Sequence, residues 1–202
     1  MRDPNKPLST REAILEATSR ALATVGYKKM KIEDLAREAG IGKGSVYLHF
    51  SSKEDIALAH IDRIISHLRN QLDEIEKSGR PAAERLEQMM KARVMERFDS
   101  VQSYPVGLGE MLVVVRDRLL ERRQRYFEIE ASILARVIAE GTANGEFAVD
   151  DPAEAANAIV DATNSLLPFN LSPREIGERD SVERRLGLIV ALLIDGLRYR
   201  CQ

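Results

Sequence analysis

An all-α protein of about nine helices is the fold class that this 202-residue sequence predicts, and three observations predict it. Apolar residues recur at three- and four-residue spacing along almost the whole chain. Ser, Asp and Glu stand at capping spacing where those periodic stretches begin, and Gly or Pro falls where they end. Hydrophobic content of 44% beside 31% charged residues is that of a globular chain with ample material for a core. No apolar run approaches the roughly 18 residues of a membrane span, and the first seven residues lack the apolar stretch of a secretory signal. A cytoplasmic protein with no membrane partner is therefore expected. The single cysteine, Cys201, leaves no internal disulfide and no thiolate cluster, and neither a metal nor a cofactor is expected.

The first helix follows Pro7-Leu8, where Ser9 and Glu12 have capping-box spacing, and it places Ile14, Ala17, Thr18, Ala21, Leu22 and Val25 on one stripe before Gly26 stops it. A second covers Ile32 to Ala39 and ends at Gly40; a third covers Lys43 to His49. Ser51 and Glu54 repeat the capping spacing and open a long helix with Ile61, Ile64, Ile65, Leu68, Leu72 and Ile75 inward, ending near Gly79-Arg80-Pro81. At about 1.5 Å per residue that helix spans on the order of 35 Å, long enough to act as a lever. Leu86, Met89, Met90, Arg93, Val94 and Phe98 mark a fifth helix, and Asp99 to Gly109 reads as irregular. A short sixth helix over Leu108 to Val115 and a separate seventh over Arg116 to Thr142 follow, closed by Asn144-Gly145. Asp151-Pro152-Ala153-Glu154 opens an eighth helix to Leu167, and Asp180 with Glu183 opens a ninth to Tyr199.

Three short helices with a tight turn at Gly40 to Gly42 read as a helix-turn-helix module plugged by Ile41 and Phe50. Its third helix is polar and carries Lys43, Ser45, Tyr47 and His49, residue types suited to a DNA groove. Charge agrees in sign. Residues 1–60 hold ten Lys or Arg against eight Asp or Glu, and residues 61–202 hold twenty against twenty-four. The division expected is a DNA-binding domain over 1–54 and an effector-binding and dimerisation domain over 55–202.

Residues 10–56 resemble the DNA-binding domain of the TetR family of bacterial transcriptional regulators. The resemblance rests on Arg11, Ile14-Leu15, Ala17, Gly26-Tyr27, Ile32 to Ala36, Ala39-Gly40-Ile41, Lys43 to Tyr47, His49-Phe50 and Ser52-Lys53-Glu54. It implies that Lys43, Gly44 and Ser45 lie at base edges and nearby phosphates, and that Tyr47, His49 and Lys53 hold the phosphate backbone. Lys31 stands where the family often carries Thr or Ser, and Gly42 where it often carries Ser. Both positions belong to the expected DNA-binding set, with the charge of Lys31 replacing a hydroxyl contact. The resemblance further implies a palindromic double-stranded operator bound by a homodimer, an unidentified small-molecule effector that releases it, and a regulator rather than an enzyme. A helical DNA-binding or protein-interaction module with no effector is the alternative.

For the effector, Met89, Met90, Val94, Phe98, Met111, Tyr126 and Asn164 combine adaptable apolar surface with polar tips. The last helix is apolar around much of its circumference, which fits either a buried central helix of one domain or a dimer face on the last two helices; the dimer face is the reading taken, through Ala155, Ile159, Leu186, Ile189, Val190, Leu193 and Leu197. Ser45 and His49 share an i, i+4 spacing, but no orienting acid or oxyanion loop accompanies them, so catalysis is not indicated. His60 and His67 stand too far apart on their helix for joint metal ligation. The arginines from Arg116 to Arg125 are interspersed with acids and read as a solvated face.

Overall fold

The computed structural model describes residues 8–103, 107–167 and 177–198, and among them every regular element is a helix. In chain order these are α1 (Thr10–Thr24), α2 (Gly26–Lys29), α3 (Ile32–Glu38), α4 (Lys43–Tyr47), α5 (Lys53–Glu76), α6 (Ala82–Gln102), α7 (Gly107–Ala143), α8 (Pro152–Asn164) and α9 (Arg179–Arg198). The number matches the expectation, but its composition does not. The sixth and seventh predicted helices are one helix of 37 residues, α7, because neither Gly nor Pro interrupts residues 110–140. The stretch expected to be irregular after Asp99 is instead the end of α6, while Tyr104-Pro105 lies outside the described residues, as do Tyr199 and Cys201. The extra element is α2, a single turn restarted by Gly26 at φ +80°.

Capping chemistry sets most of the boundaries. Ser9 and Glu12 form the expected capping box at α1, and the Asp151 side chain accepts the N–H groups of Ala153 and Glu154 ahead of Pro152. At α5 the cap is Ser52 rather than Ser51: its Oγ accepts from Asp55 N–H at 3.1 Å. Asp180 sits inside the first turn of α9 and Glu183 pairs with Arg179, so those two acids favour the positive helix start without forming the cap expected of them.

The chain forms two compact units, one of Met1–Ile64 with Gln102–Leu120 and one of Ile65–Val101 with Glu121–Gln202. In the first, Ile14, Leu15, Leu22, Leu35, Val46 and Ile56 are at most 1% exposed and form the core. Phe50 joins them and Ile41 is half-buried, whereas Val25 turns outward where the chain bends at Gly26. Arg63 of α5 bonds Glu16 and the Ser19 hydroxyl of α1, both at 2.8 Å, and Arg20 of α1 pairs with Glu38 of α3.

His60 lies in this core, and burial, aided by the positive charge of Arg63, pushes its imidazole down to about 4. The unfolded chain takes up a proton near pH 6.5 that the folded chain refuses until about pH 4. Stability is therefore full above that window and falls as the pH is lowered through it, by up to about 3 kcal/mol. Urea midpoints at pH 7 and pH 5 should differ accordingly, and His60→Leu should flatten the difference.

The second unit has its own core, in which Leu72, Leu86, Met90, Val94, Leu134 and Val137 are fully buried. α7 ends in a Schellman cap: Gly145 takes φ +77°, Glu146 N–H donates to the Gly141 carbonyl at 2.8 Å, and Gly145 N–H to that of Thr142 at 3.1 Å. A β-carbon added at Gly141 would collide with the Phe147 ring and lie 2.8 Å from the Ala82 β-carbon. Gly141→Ala is expected to destabilise by about 1–3 kcal/mol despite its better helix propensity, read from the urea midpoint.

Candidate nucleic-acid interface

The α3–α4 turn is built by backbone geometry. Gly40 takes φ +70°, Ile41 N–H donates to the Ala36 carbonyl at 2.9 Å and Gly40 N–H to that of Arg37 at 3.2 Å, so α3 stops in a Schellman cap and α4 begins at Lys43. Gly42 is the residue before α4, and Ser45 N–H closes onto its carbonyl at 2.9 Å. α4 is anchored by one side chain, Val46, which is completely buried. Around that anchor Lys43, Gly44, Tyr47, Leu48 and His49 are exposed and Ser45 is half-buried. A helix with one inward residue and the rest turned to water is the arrangement a groove-entering helix needs.

The cations differ in how freely they can move. Lys43 pairs with Glu33 at 2.5 Å, which raises its pKa and lowers that of the carboxyl, chiefly through their hydrogen bond. Both partners are about half exposed, at 51% and 55%, so the pair contributes little stability and can open toward a phosphate. Lys53 is more constrained. Its ammonium sits 4.4 Å from the Tyr27 ring centroid and donates to the Lys28 carbonyl at 3.3 Å, and burial lowers its pKa. Tyr27 in turn reaches Glu54 at 3.4 Å, and desolvation followed by the Glu54 charge pushes its phenol up to about 12. Lys31 is exposed immediately before α3.

Two features of the site lie beyond the residues expected from the sequence. Leu48 is 85% exposed, the most exposed large apolar residue described. Its position between Tyr47 and His49 suits contact with a thymine methyl or a sugar, and an apolar residue beside a groove-facing polar run is the signal for it. The second is that a β-carbon added at Gly42 or Gly44 would meet nothing within 4 Å among the described residues, so intramolecular packing does not require either glycine.

Part of α7 also belongs to this compact unit. Glu110 accepts the Lys28 backbone N–H at 2.9 Å, and Arg118 pairs with Asp55 at the start of α5 at 2.6 Å. Met111 is fully buried and belongs to this unit, whereas the other expected effector residues belong to the second. Met89, Met90, Val94 and Phe98 lie together in the core of the second unit; Tyr126 is half-buried there, and the Asn164 side-chain oxygen accepts from Arg93 at 2.6 Å. Missing from that expected set are Arg93, Arg97 and Glu130, all at most 2% exposed. Their signal in the sequence is Arg93 on the apolar stripe one turn after Met89.

The expected dimer residues divide by face. Ile159, Leu186, Val190 and Leu197 are buried in the chain's own core, because the inward stripe of α9 runs through Val182, Leu186, Val190, Ile194 and Leu197. Those four are occupied within the protomer. Ala155, Ile189 and Leu193 are half-buried, while Leu188 and Leu192 stand outward at 65% and 75% exposure. α8 packs on α9. No helix among the described residues is long and apolar enough to cross a membrane.

Comparison with known proteins places both parts of the chain. Residues 14–60 match the family described as bacterial regulatory proteins, tetR family, and residues 82–187 match the tetracyclin repressor-like C-terminal domain. An uncharacterized HTH-type transcriptional regulator of Bacillus subtilis, YerO, is 34% identical over 51% of this chain, a match that spans only 36% of the relative's length. The HTH-type transcriptional repressor KstR2 of Mycolicibacterium smegmatis is 25% identical over 73% of this chain and 72% of its own. A crystal structure of a transcriptional regulator from Cytophaga hutchinsonii superposes with a TM-score of 0.79 at 21% identity, covering 93% of this chain and 98% of the other.

Proposed function

Because the chain belongs to the TetR family of DNA-binding transcriptional regulators, we propose that it is a homodimeric repressor of a palindromic operator, released by a small-molecule effector. The observation that carries the DNA half of this reading is α4, held by Val46 alone with Lys43, Gly44, Ser45, Tyr47, Leu48 and His49 around its outer side. In this reading Lys43, Gly44 and Ser45 read base edges, and Lys31, Tyr47, His49 and Lys53 hold phosphates, with Gly42 giving the backbone close access. The word repressor in a relative's name supports that polarity. Such a regulator works on the chromosome, in the bacterial cytoplasm.

Two readers must be held at about 34–36 Å, one helical turn of DNA, to grip both half-sites. The dimer face proposed for this is the outer side of α8 and α9, with Leu188 and Leu192 as its centre and Ala155, Ile189 and Leu193 at its flank. Release follows a shift of α7: the helix that carries Glu110 and Arg118, tied to Lys28 and Asp55, also carries Glu130 of the effector core. An effector that favours one position of α7 would then bias the spacing of the paired α4 helices. We keep residues 1–54 as the DNA-reading domain and 55–202 as the effector and dimerisation domain.

Duplexes selected from a random pool by the wild-type protein should contain an inverted repeat, and the protein should sediment at about twice its 22.7 kDa protomer mass. Leu192→Arg should yield monomers that keep their helicity and bind the selected duplex at least about tenfold more weakly, since one half-site is lost from each encounter. A wild-type monomer, or selected duplexes without twofold symmetry, would sink this reading.

A further inference from the structure

The core of the second unit holds three charges that do not balance. Arg93 and Arg97 stand one turn apart on α6 and Glu130 reaches both from α7; their exposures are 0%, 1% and 2%. Arg93 is saturated. Its Nε donates to Glu130 at 2.5 Å, Nη1 to the Val160 carbonyl at 3.2 Å and to the Thr163 hydroxyl, and Nη2 to Asn164 at 2.6 Å. Its guanidinium also stacks 5.3 Å from the Phe127 ring centroid. One Arg97 nitrogen has no acceptor among the described residues. Nη1 donates to the Arg93 carbonyl at 2.9 Å and Nη2 to the second oxygen of Glu130, but the buried Nε–H has no acceptor.

One carboxylate thus serves two guanidiniums inside an apolar core. Arginine cannot shed its proton to escape burial, so the excess positive charge persists and asks for an anion. Asp161, the other acid whose field reaches Arg93, is on the exposed side of α8, and Arg123 adds a further cation 5.7 Å from the Phe127 ring. The neighbours on α6 are Met89, Met90, Val94 and Phe98, all at most 3% exposed; methionines repack readily around a guest.

We infer that Arg97, with Arg93 and Glu130 fixing it in place, receives the carboxylate of an effector, and that this effector is a monocarboxylate with an apolar body. This rests on reading the second unit as an effector domain. The carboxylate would accept from Arg97 Nε–H and bring the cluster to two guanidiniums against two carboxylates, while the apolar body replaces methionine contacts. Uncharged analogues of the same shape gain no such pairing.

Titration calorimetry and thermal melting of the full chain with linear alkanoates from butanoate to decanoate, beside the 1-alkanols of equal length, test this. The alkanoate should bind at least about tenfold more tightly than its alkanol, the worth of one charge-assisted hydrogen bond. Arg97→Met should abolish that preference and Arg97→Lys should keep part of it; Arg97→Met leaves Arg93 and Glu130 as a balanced pair, and circular dichroism checks its fold. Should that variant not fold, the wild-type preference and the Lys variant decide. Equal binding of alkanoate and alkanol, or an Arg97→Met protein that keeps the preference, overturns the inference. Alkanoate binding that depends on Arg97 but leaves the operator complex intact supports this site and removes the effector reading. Release of the operator by uncharged compounds alone does the reverse.

Discussion

Glu130→Ala should cost the chain about 3–5 kcal/mol, the largest loss expected of any single substitution considered for this molecule. Its two oxygens are the only carboxylate partners described for Arg93 and Arg97, both buried on α6. Removing it leaves two guanidiniums one helical turn apart with no counter-ion, and arginine does not shed its proton to escape burial. The loss exceeds what truncating an apolar side chain of the same size would bring, because like charges are left facing each other in low dielectric. Urea denaturation of Glu130→Ala beside Val137→Ala, a nearby fully buried position on the same helix, measures the difference. A double variant, Glu130→Ala with Arg97→Met, should recover more than half of the loss, since only one guanidinium then lacks its partner. If the single variant is no worse than Val137→Ala, the cluster is not the electrostatic knot described.

Gly44→Val should abolish specific operator binding while leaving the fold as stable as before. Gly44 lies in the five-residue helix α4 at ordinary helical dihedrals, and a β-carbon there meets nothing within 4 Å among the described residues. Nothing among the described residues therefore demands glycine, and a side chain would add up to about 1 kcal/mol of helix propensity in the case of alanine, less for valine. The demand can come only from outside, from a surface that approaches the backbone of α4 more closely than a side chain permits. Operator affinity should fall by at least about a hundredfold for Gly44→Val and less for Gly44→Ala, with thermal midpoints unchanged or raised. A loss of affinity matched by a loss of stability would point to misfolding instead. Unchanged affinity in the Val variant would mean that α4 does not enter the groove at this residue.

The two substitutions differ in how far the sequence foretells them. The turn around Gly40, the capping box at Ser9 and the proline-led start of α8 are local devices, each written within about five residues, and the structure forms each where its residues stand. The polar run from Lys43 to His49 is equally local, so the helix proposed to read DNA is legible without coordinates. The continuity of α7 is harder to read. Its charged first part and apolar later part resemble two helices, and only the lack of any Gly or Pro across 110–140 argues for one. The side of α9 that faces outward is also ambiguous in a helix apolar around most of its surface. Packing decides it, burying Leu186, Val190 and Leu197 and leaving Leu188 and Leu192 outside.

By itself, the sequence determined the helical class, the helix-turn-helix module and the polar run around the outside of its last helix, because hydrogen bonds between near neighbours and the 3.6-residue period govern all three. Only the tertiary structure decided which charges lie in the core. Arg93 draws its partners from residues 37 to 71 positions further along the chain, on two other helices, and no local pattern encodes such a meeting. Burial of a charge is a property of the assembled neighbourhood, since the same arginine on a solvated face would need no partner at all.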